Sequence, residues 1–396
     1  MRRTHIFYLL VILFTGLLLI GSRSIPKTVH ADGNELKLVA RLAQGIDIKP
    51  IANKLGLQVA DSIQGDNGYL LTVPAGTDVN KLRESLARQP GVLNAEQNVK
   101  ISTVTALRQP LNFPGGDVTL LGMELTPFRT QQLIEFLQIP AMRGLSQGRG
   151  VKVAIIDTGI DMYHPLLKGH IAPGGLDFLD KDPIPYDEPG GSSYGHGTFI
   201  AGLVLLLAPQ AQVLPIRVMN PDGVGDAFNV AKGIFHATNQ GAKVINLSLG
   251  TDEKPAIIRS AIAYARSKGC IVTAAMGNDG SNKGNIFPAS EANVLAVGAT
   301  DFSDDRATFS NYGPALDFMA PGVDLISTFP GGGFARWSGT SFATPLVSAE
   351  CVLLFSATPY QANGIAEVMR KTSVFVYEYR RISPVTALLR SNIRPL

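Results

Sequence analysis

Five stretches of this chain, residues 153–156, 213–218, 244–247, 271–275 and 294–297, are apolar or nearly so, without the alternation of a half-exposed strand. A strand wetted on one face reads apolar, polar, apolar. One that is apolar throughout is buried on both faces, which points to a parallel sheet with helices on each side. Helical stretches separate these runs, so residues 128–396 are expected to form an α/β domain, a doubly wound, mostly parallel sheet flanked by helices. A functional site in such a sheet lies beyond the carboxyl ends of the strands, and the residues following each run are therefore the ones of interest.

Single cores rarely grow beyond about 250–300 residues, and this chain has 396, so a second domain is expected. Residues 36–99 read as strand, helix, strand, strand, helix, strand, with a helix near 50–55 stopped by Gly56 and another over 79–89 stopped by Pro90-Gly91. That βαββαβ order marks a small α+β domain and names no function by itself. Residues 106–127 contain Pro110, Pro114, Gly115 and Gly116 without a clear period and read as a linker. The first 31 residues have the form of an export signal. Arg2 and Arg3 precede an apolar run over 6–20, and Val29-His30-Ala31 offers a cleavage site. The run falls short of the roughly 20 residues that cross a bilayer, so cleaved export is expected, with a retained membrane tether as the alternative.

A net charge of +3 without a concentrated run of Lys and Arg gives no reason to expect nucleic acid as a partner. The two cysteines, Cys270 and Cys351, each lie in an apolar stretch, which excludes a disulfide framework and leaves open whether they pair.

Three segments place a polar residue beside glycine at the end of an element: Ile155-Ile156-Asp157-Thr158-Gly159, Tyr194-Gly195-His196-Gly197-Thr198 and Gly339-Thr340-Ser341-Phe342-Ala343. Acyl transfer by serine needs a hydroxyl, an imidazole that takes its proton and a carboxylate that orients the imidazole. All three are available here. None of the six histidines follows Ser341, which rules out the order serine, acid, histidine and leaves aspartate, histidine, serine. Asp-Thr-Gly also occurs in aspartic peptidases, but those need two such carboxylates sharing a proton, and the tripeptide occurs once in this sequence.

These residues resemble the signature blocks of the subtilases, the subtilisin-like serine peptidases. Further similar segments are Asn246-Leu247-Ser248-Leu249-Gly250, Ala274-Ala275-Met276-Gly277-Asn278 and Phe309-Ser310-Asn311-Tyr312-Gly313, so the resemblance covers roughly residues 130–375. It implies a serine endopeptidase with Ser341 as nucleophile, His196 as general base and Asp157 as its orienting partner. Asn278 and the Ser341 amide would form the oxyanion hole. A polypeptide substrate would pair as a strand with Ser248, Leu249 and Gly250 and with the segment before Gly223. Ala274, Ala275 and Gly277 would wall the pocket for the residue before the scissile bond, with Asp279 at its rim. Residues 32–105 become an inhibitory prosegment whose last strand lies in the cleft, with self-cleavage between about Val99 and Pro127. A monomer is expected.

The chain also departs from the family. Phe199, Phe342 and Leu346 replace residues common at those positions, and the loop that often binds calcium in secreted subtilases is missing after Gly202. The mechanism requires no cofactor. Calcium remains possible without an identifiable site; Asp301, Asp304 and Asp305 are candidates, although aspartates of this kind commonly mark a turn. His164, His170 and His236 read as structural. For Ser341 and Asn278 the ordinary alternatives are helix capping and turn formation. The contrasting functional reading is a catalytically silent subtilase-fold protein that holds an extended peptide.

Overall fold

The computed structural model describes residues 36–63, 65–104, 119–282 and 286–391. The expected export signal lies outside them. In chain order the N-terminal part contains β1 (Lys37–Leu42), α1 (Ile48–Leu55), β2 (Gln58–Ile63), β3 (Gly68–Thr72), α2 (Val79–Ala87) and β4 (Val92–Gln97), followed by a separate short strand, β5 (Lys100–Thr103). Asp47 caps α1 through its side chain, and Gly56 ends it in the left-handed conformation at φ 68°, which glycine adopts without strain. The four antiparallel strands lie in the order β2-β3-β1-β4. Leu38, Ala40 and Leu42 pack with α1 and α2 in a core of their own, whereas Val39, Leu70 and Ile63 turn the other way and join a core of the larger domain.

The larger domain begins at β6 (Thr119–Gly122), followed by three short helices, α3 (Thr126–Thr130), α4 (Leu133–Phe136) and α5 (Ile139–Leu145). Residues 119–122, assigned to the linker on sequence, are thus a strand. The missing clue was its partner, β17 (Gly333–Trp337), some two hundred residues downstream. Next come β7 (Lys152–Asp157), β8 (Leu176–Asp177), α6 (His196–Leu207), β9 (Gln212–Arg217), β10 (Val224–Asp226), α7 (Ala227–Asn239), β11 (Val244–Leu247), β12 (Leu249–Gly250) and α8 (Ala256–Ser267). The remainder consists of β13 (Ile271–Ala275), β14 (Leu295–Thr300), β15 (Phe318–Pro321), β16 (Leu325–Phe329), then β17, α9 (Thr340–Ala357), α10 (Ala362–Thr372), β18 (Val374–Val376), β19 (Tyr379–Arg381) and α11 (Pro384–Ser391).

The main sheet runs β18-β19-β15-β14-β13-β11-β7-β9-β8 and is parallel apart from β18 against β19. Its strands are buried on both faces, as their composition requires. In β7, Val153 and Ile155 face the core beneath α6 and α9, while Ala154 and Ile156 face the core beneath α7 and α8. The chain starts at β7, adds β9 on one side and then crosses to β11 on the other. This reversal puts the carboxyl ends of β7 and β11 at a switch point, where a cleft opens.

Helix α9 is the one described helix long and apolar enough to cross a membrane, but most of it is buried inside the protein. It carries a carboxyl group within that core. Glu350 is buried, its Oε2 has no hydrogen-bond partner among the described residues, and burial pushes its pKa up to about 8 against the pull of Arg381. The folded protein therefore binds this proton more tightly than the unfolded chain does. The resulting stability is complete below the ordinary glutamate range and is lost as pH rises toward 8. Melting temperature should consequently fall less between pH 5 and pH 8 in Glu350→Gln than in the wild type, as thermal unfolding at the two pH values would show.

Candidate active site

Asp157 is the last residue of β7 and His196 the first of α6. They meet because strand end and helix start approach very closely. A Cβ at Gly197 would lie 2.2 Å from the carbonyl oxygen of Gly159, so any side chain there would push α6 away. His196 Nδ1 lies 2.7 Å from Asp157 Oδ1, and both side chains are buried. Thr158 N donates to the same oxygen at 2.8 Å. A carboxylate on Nδ1 fixes the proton there and leaves Nε2 as the basic nitrogen. Phe342 and Trp337 pack against the imidazole at 5.2 and 5.7 Å between ring centroids, and Phe199 packs against Phe342 at 4.6 Å. The two phenylalanines that depart from the family pattern thus form an apolar jacket around His196.

Ser341 sits in the first turn of α9, where backbone amides have no intrahelical partner. Its Oγ lies 3.3 Å from the carbonyl oxygen of Ser248, and Ser248 Oγ donates to the Ser341 carbonyl at 2.8 Å. Asn278 follows β13. Its Oδ1 accepts from Thr340 N at 3.0 Å and from Thr340 Oγ1 at 2.8 Å. A backbone amide can only donate, so these bonds fix the orientation of the side-chain amide. Nδ2 then faces the cleft and donates to the carbonyl oxygen of Val104 at 3.4 Å.

The cleft is filled by β5. Strand β4, expected to lie there, instead completes the N-terminal sheet, and the chain turns at Asn98, whose Oδ1 accepts from Phe228 N at 3.0 Å. β5 then runs antiparallel between β10 and β12, with Ser102 opposite both Val224 and Gly250. Thr103 N donates to Gly223 O at 2.7 Å, and Val104 N to Ser248 O at 3.4 Å. The pairing strand follows Gly223 rather than preceding it, because residues 220–223 are closed into a turn by a bond from Gly223 N to Asn220 O.

Leu249 and Gly250 pair with β5, and Ala275 joins Val104 and Ile286 in a small apolar cluster. A Cβ on Gly277 would approach Ile286 to 3.0 Å, so Gly277 borders the same pocket. Ala274 instead faces the opposite core, as alternation along β13 demands. Asp279 is exposed, and its carboxylate accepts from Asn311 Nδ2 at 3.3 Å. His164 is structural, with Nε2 2.9 Å from Gly333 O and burial pulling its pKa down.

Among the described residues no group of three or more His, Cys, Asp or Glu side chains is arranged to hold a metal ion. Asp301 Oδ1 accepts from Ser303 N and Asp305 N and so closes a turn. Three other carboxylates, Asp177, Asp180 and Glu188, converge instead on the buried Arg217 guanidinium at 2.5 to 2.7 Å.

Residues 148–381 match the family model of the subtilases. The chain belongs to the subtilase family. It is accordingly a serine-type endopeptidase, and residues 37–98 match the fervidolysin N-terminal prodomain. The subtilase is 40% identical over 230 residues to thermitase of Thermoactinomyces vulgaris, a match covering 56% of this chain and 80% of thermitase. It is 41% identical over 241 residues to subtilisin BL of Lederbergia lenta, covering 58% and 86% of the two chains. Alkaline elastase YaB of Bacillus sp. (strain YaB) matches at 34% over 316 residues, covering 77% and 79%.

Sequence reasoning missed Val104, Ile286, Trp337 and Glu96. The first two are apolar residues on irregular backbone without periodicity to mark them. Glu96 could have been suspected from its target, since α8 starts after Pro255 with no side-chain cap. Glu96 supplies that cap from the prosegment, accepting from Ala256 N at 2.8 Å and Ile257 N at 2.9 Å. Hydrogen bonds to a charged group contribute about 1.5–3 kcal/mol each, so Glu96→Ala should weaken the prosegment's hold by about tenfold or more. Higher activity of the intact complex on a small chromogenic peptide would report it.

Proposed function

We propose that this subtilase is exported as a zymogen and cuts its own Val104–Thr105 bond with Asp157, His196 and Ser341. The observation that carries this reading is a shared acceptor: Val104 N and Ser341 Oγ both reach the carbonyl oxygen of Ser248, which supports attack of Ser341 on the Val104 carbonyl. Ser341 Oγ attacks that carbonyl while His196 Nε2 takes its proton and Asp157 holds the Nδ1 hydrogen. The negative oxygen is met by Asn278 Nδ2 and the backbone amide of Ser341, at the positive end of the α9 dipole. Collapse returns the proton from His196 to the departing amine of Thr105, and water then releases Val104 from Ser341. Residues 36–104 remain as a product-like inhibitor, held by backbone pairing in the cleft, by Glu96 on α8 and by the Asp61–Lys232 ion pair at 2.7 Å. The apolar run at residues 6–20 supports export.

Side-chain preference follows from the same strand. Val104 is buried against Ala275 and Ile286 with no charged residue in the cluster, so the pocket favours a small or medium aliphatic residue before the cut. Ile286→Gly should deepen it and raise the preference for phenylalanine over valine by about tenfold or more, read from kcat/KM on peptides that differ only at that residue.

The decisive experiment is the intact mass of protein expressed from residue 32 onward. The wild type should yield fragments ending at Val104 and starting at Thr105, and Ser341→Ala a single uncut chain. Cleavage elsewhere, or cleavage surviving in Ser341→Ala, rejects the assignment.

A further inference from the structure

One buried carboxylate beside the triad has no part in the chemistry just described. Asp187 lies on the loop before α6 and is completely buried. Its Oδ1 accepts from Thr158 Oγ1 and from Gly195 N, both at 3.1 Å. Its Oδ2 accepts from Thr198 N at 3.1 Å and from Thr198 Oγ1 at 2.7 Å. Thr158 follows Asp157 directly, while Gly195 and Thr198 bracket His196. The two threonine hydroxyls extend the connection, Thr158 Oγ1 accepting from Gly197 N at 3.1 Å and Thr198 Oγ1 from Asp161 N at 2.9 Å. The loop itself is seated on the strand end, since a Cβ on Gly159 would fall 2.4 Å from Tyr186 O.

We propose that Asp187 is a positioning residue for catalysis, its carboxylate acting as the common acceptor that locks the end of β7 to the first turn of α6 and so sets the Asp157–His196 hydrogen bond. This rests on the triad assignment above. The donor set explains why a carboxylate stands here rather than an amide. Each oxygen faces one backbone N–H, and a backbone N–H cannot turn round to accept. An asparagine would aim its own NH2 at one of them in either orientation, and a protonated aspartate would set its hydroxyl hydrogen against one. Only the ionised form accepts from both sides. The charged and titratable groups around it are Asp157, Asp161, Tyr186 and Tyr194, with His196 beyond Asp157, and the neighbouring Glu188 is turned to Arg217. Burial in these surroundings, with the charge of Asp157 adding to it, pushes the Asp187 carboxyl up to about 6. Acidification through that region would convert the clamp to the form that fits worse.

The test is Asp187→Asn in the full-length chain, compared with the wild type and with Thr158→Val, which keeps the carboxylate but removes one of its donors. Misplacing a catalytic pair by up to about 1 Å lowers turnover on the order of a hundredfold, so kcat should drop tenfold or more in Asp187→Asn with KM nearly unchanged, and by less in Thr158→Val. The loss of kcat that accompanies protonation of Asp187 near pH 6 should be present in the wild type and absent from Asp187→Asn. The downfield proton resonance of the Asp157–His196 hydrogen bond should shift or broaden in both variants. A merely structural residue would lower the melting temperature and leave the pH profile and this resonance in place, and that result overturns the proposal. Should Asp187→Asn fail to fold, Thr158→Val decides by the same resonance and kcat. A wild type without turnover would sink the triad assignment separately, since the resonance reports the hydrogen bond whether or not the enzyme cuts peptides.

Discussion

A parallel sheet must be covered on both faces, and in this protein one face is covered by a helix that is itself buried for most of its length. Helix α9 packs on β11, β13, β14 and β15 and against α6, so neither its rotation nor its height can change without disturbing the larger core. Ser341 occupies its first turn and Phe342, beside it, props the His196 ring. The position of Ser341 is therefore a property of the core rather than of a surface loop. The same holds for the other parts of the site: Asp157 ends a central strand, Asn278 follows the next strand but one, and His196 opens the helix that packs against α9. Precision at the cleft comes from close packing below it, where small shifts are resisted.

How much of this was legible from residues alone depended on whether the signal was local. The five apolar runs foretold the sheet because burial on both faces leaves its mark in each strand separately. Asp157, His196 and Ser341 stood out because each lies within two residues of a glycine at an element end, whereas Asn278 came from the resemblance to the subtilases. What escaped detection was set by partners distant in the chain. Strand β6 is defined by β17 alone, and β5 by β10 and β12, so neither carries a pattern of its own strong enough to separate it from the linker or from β4. Ala274 was misjudged for a different reason: one residue along a strand exchanges one face of the sheet for the other, and a motif read as a block hides that alternation.

Besides the Asp61–Lys232 ion pair, the prosegment is held by three kinds of contact, and each depends on folded structure on both sides. Backbone pairing needs the strands β10 and β12 in place. The Glu96 and Asn98 bonds need helix starts whose amides are already aligned. The apolar contact of Val39, Ile63 and Leu70 needs α7 and α8 packed side by side, with Ile257 presented to Gly68. The N-terminal domain thus matches a surface that exists only once the enzyme has folded, and by binding it favours that state over the unfolded chain.

The pairing of β6 with β17 would have a consequence for the proposed cut after Val104. Fourteen residues separate Val104 from β6, and at about 3.3–3.6 Å per residue the new amino end is on a leash of about 50 Å at most. A short leash of this kind holds its end at an effective concentration in the millimolar range, by general polymer arguments. Under the proposed cut, the departing amine would compete with water for the acyl group from which it had just been released, and cutting and rejoining would alternate until hydrolysis won. On that proposal, maturation would be a race between hydrolysis and rejoining, with the number of residues between the cut and β6 setting its odds.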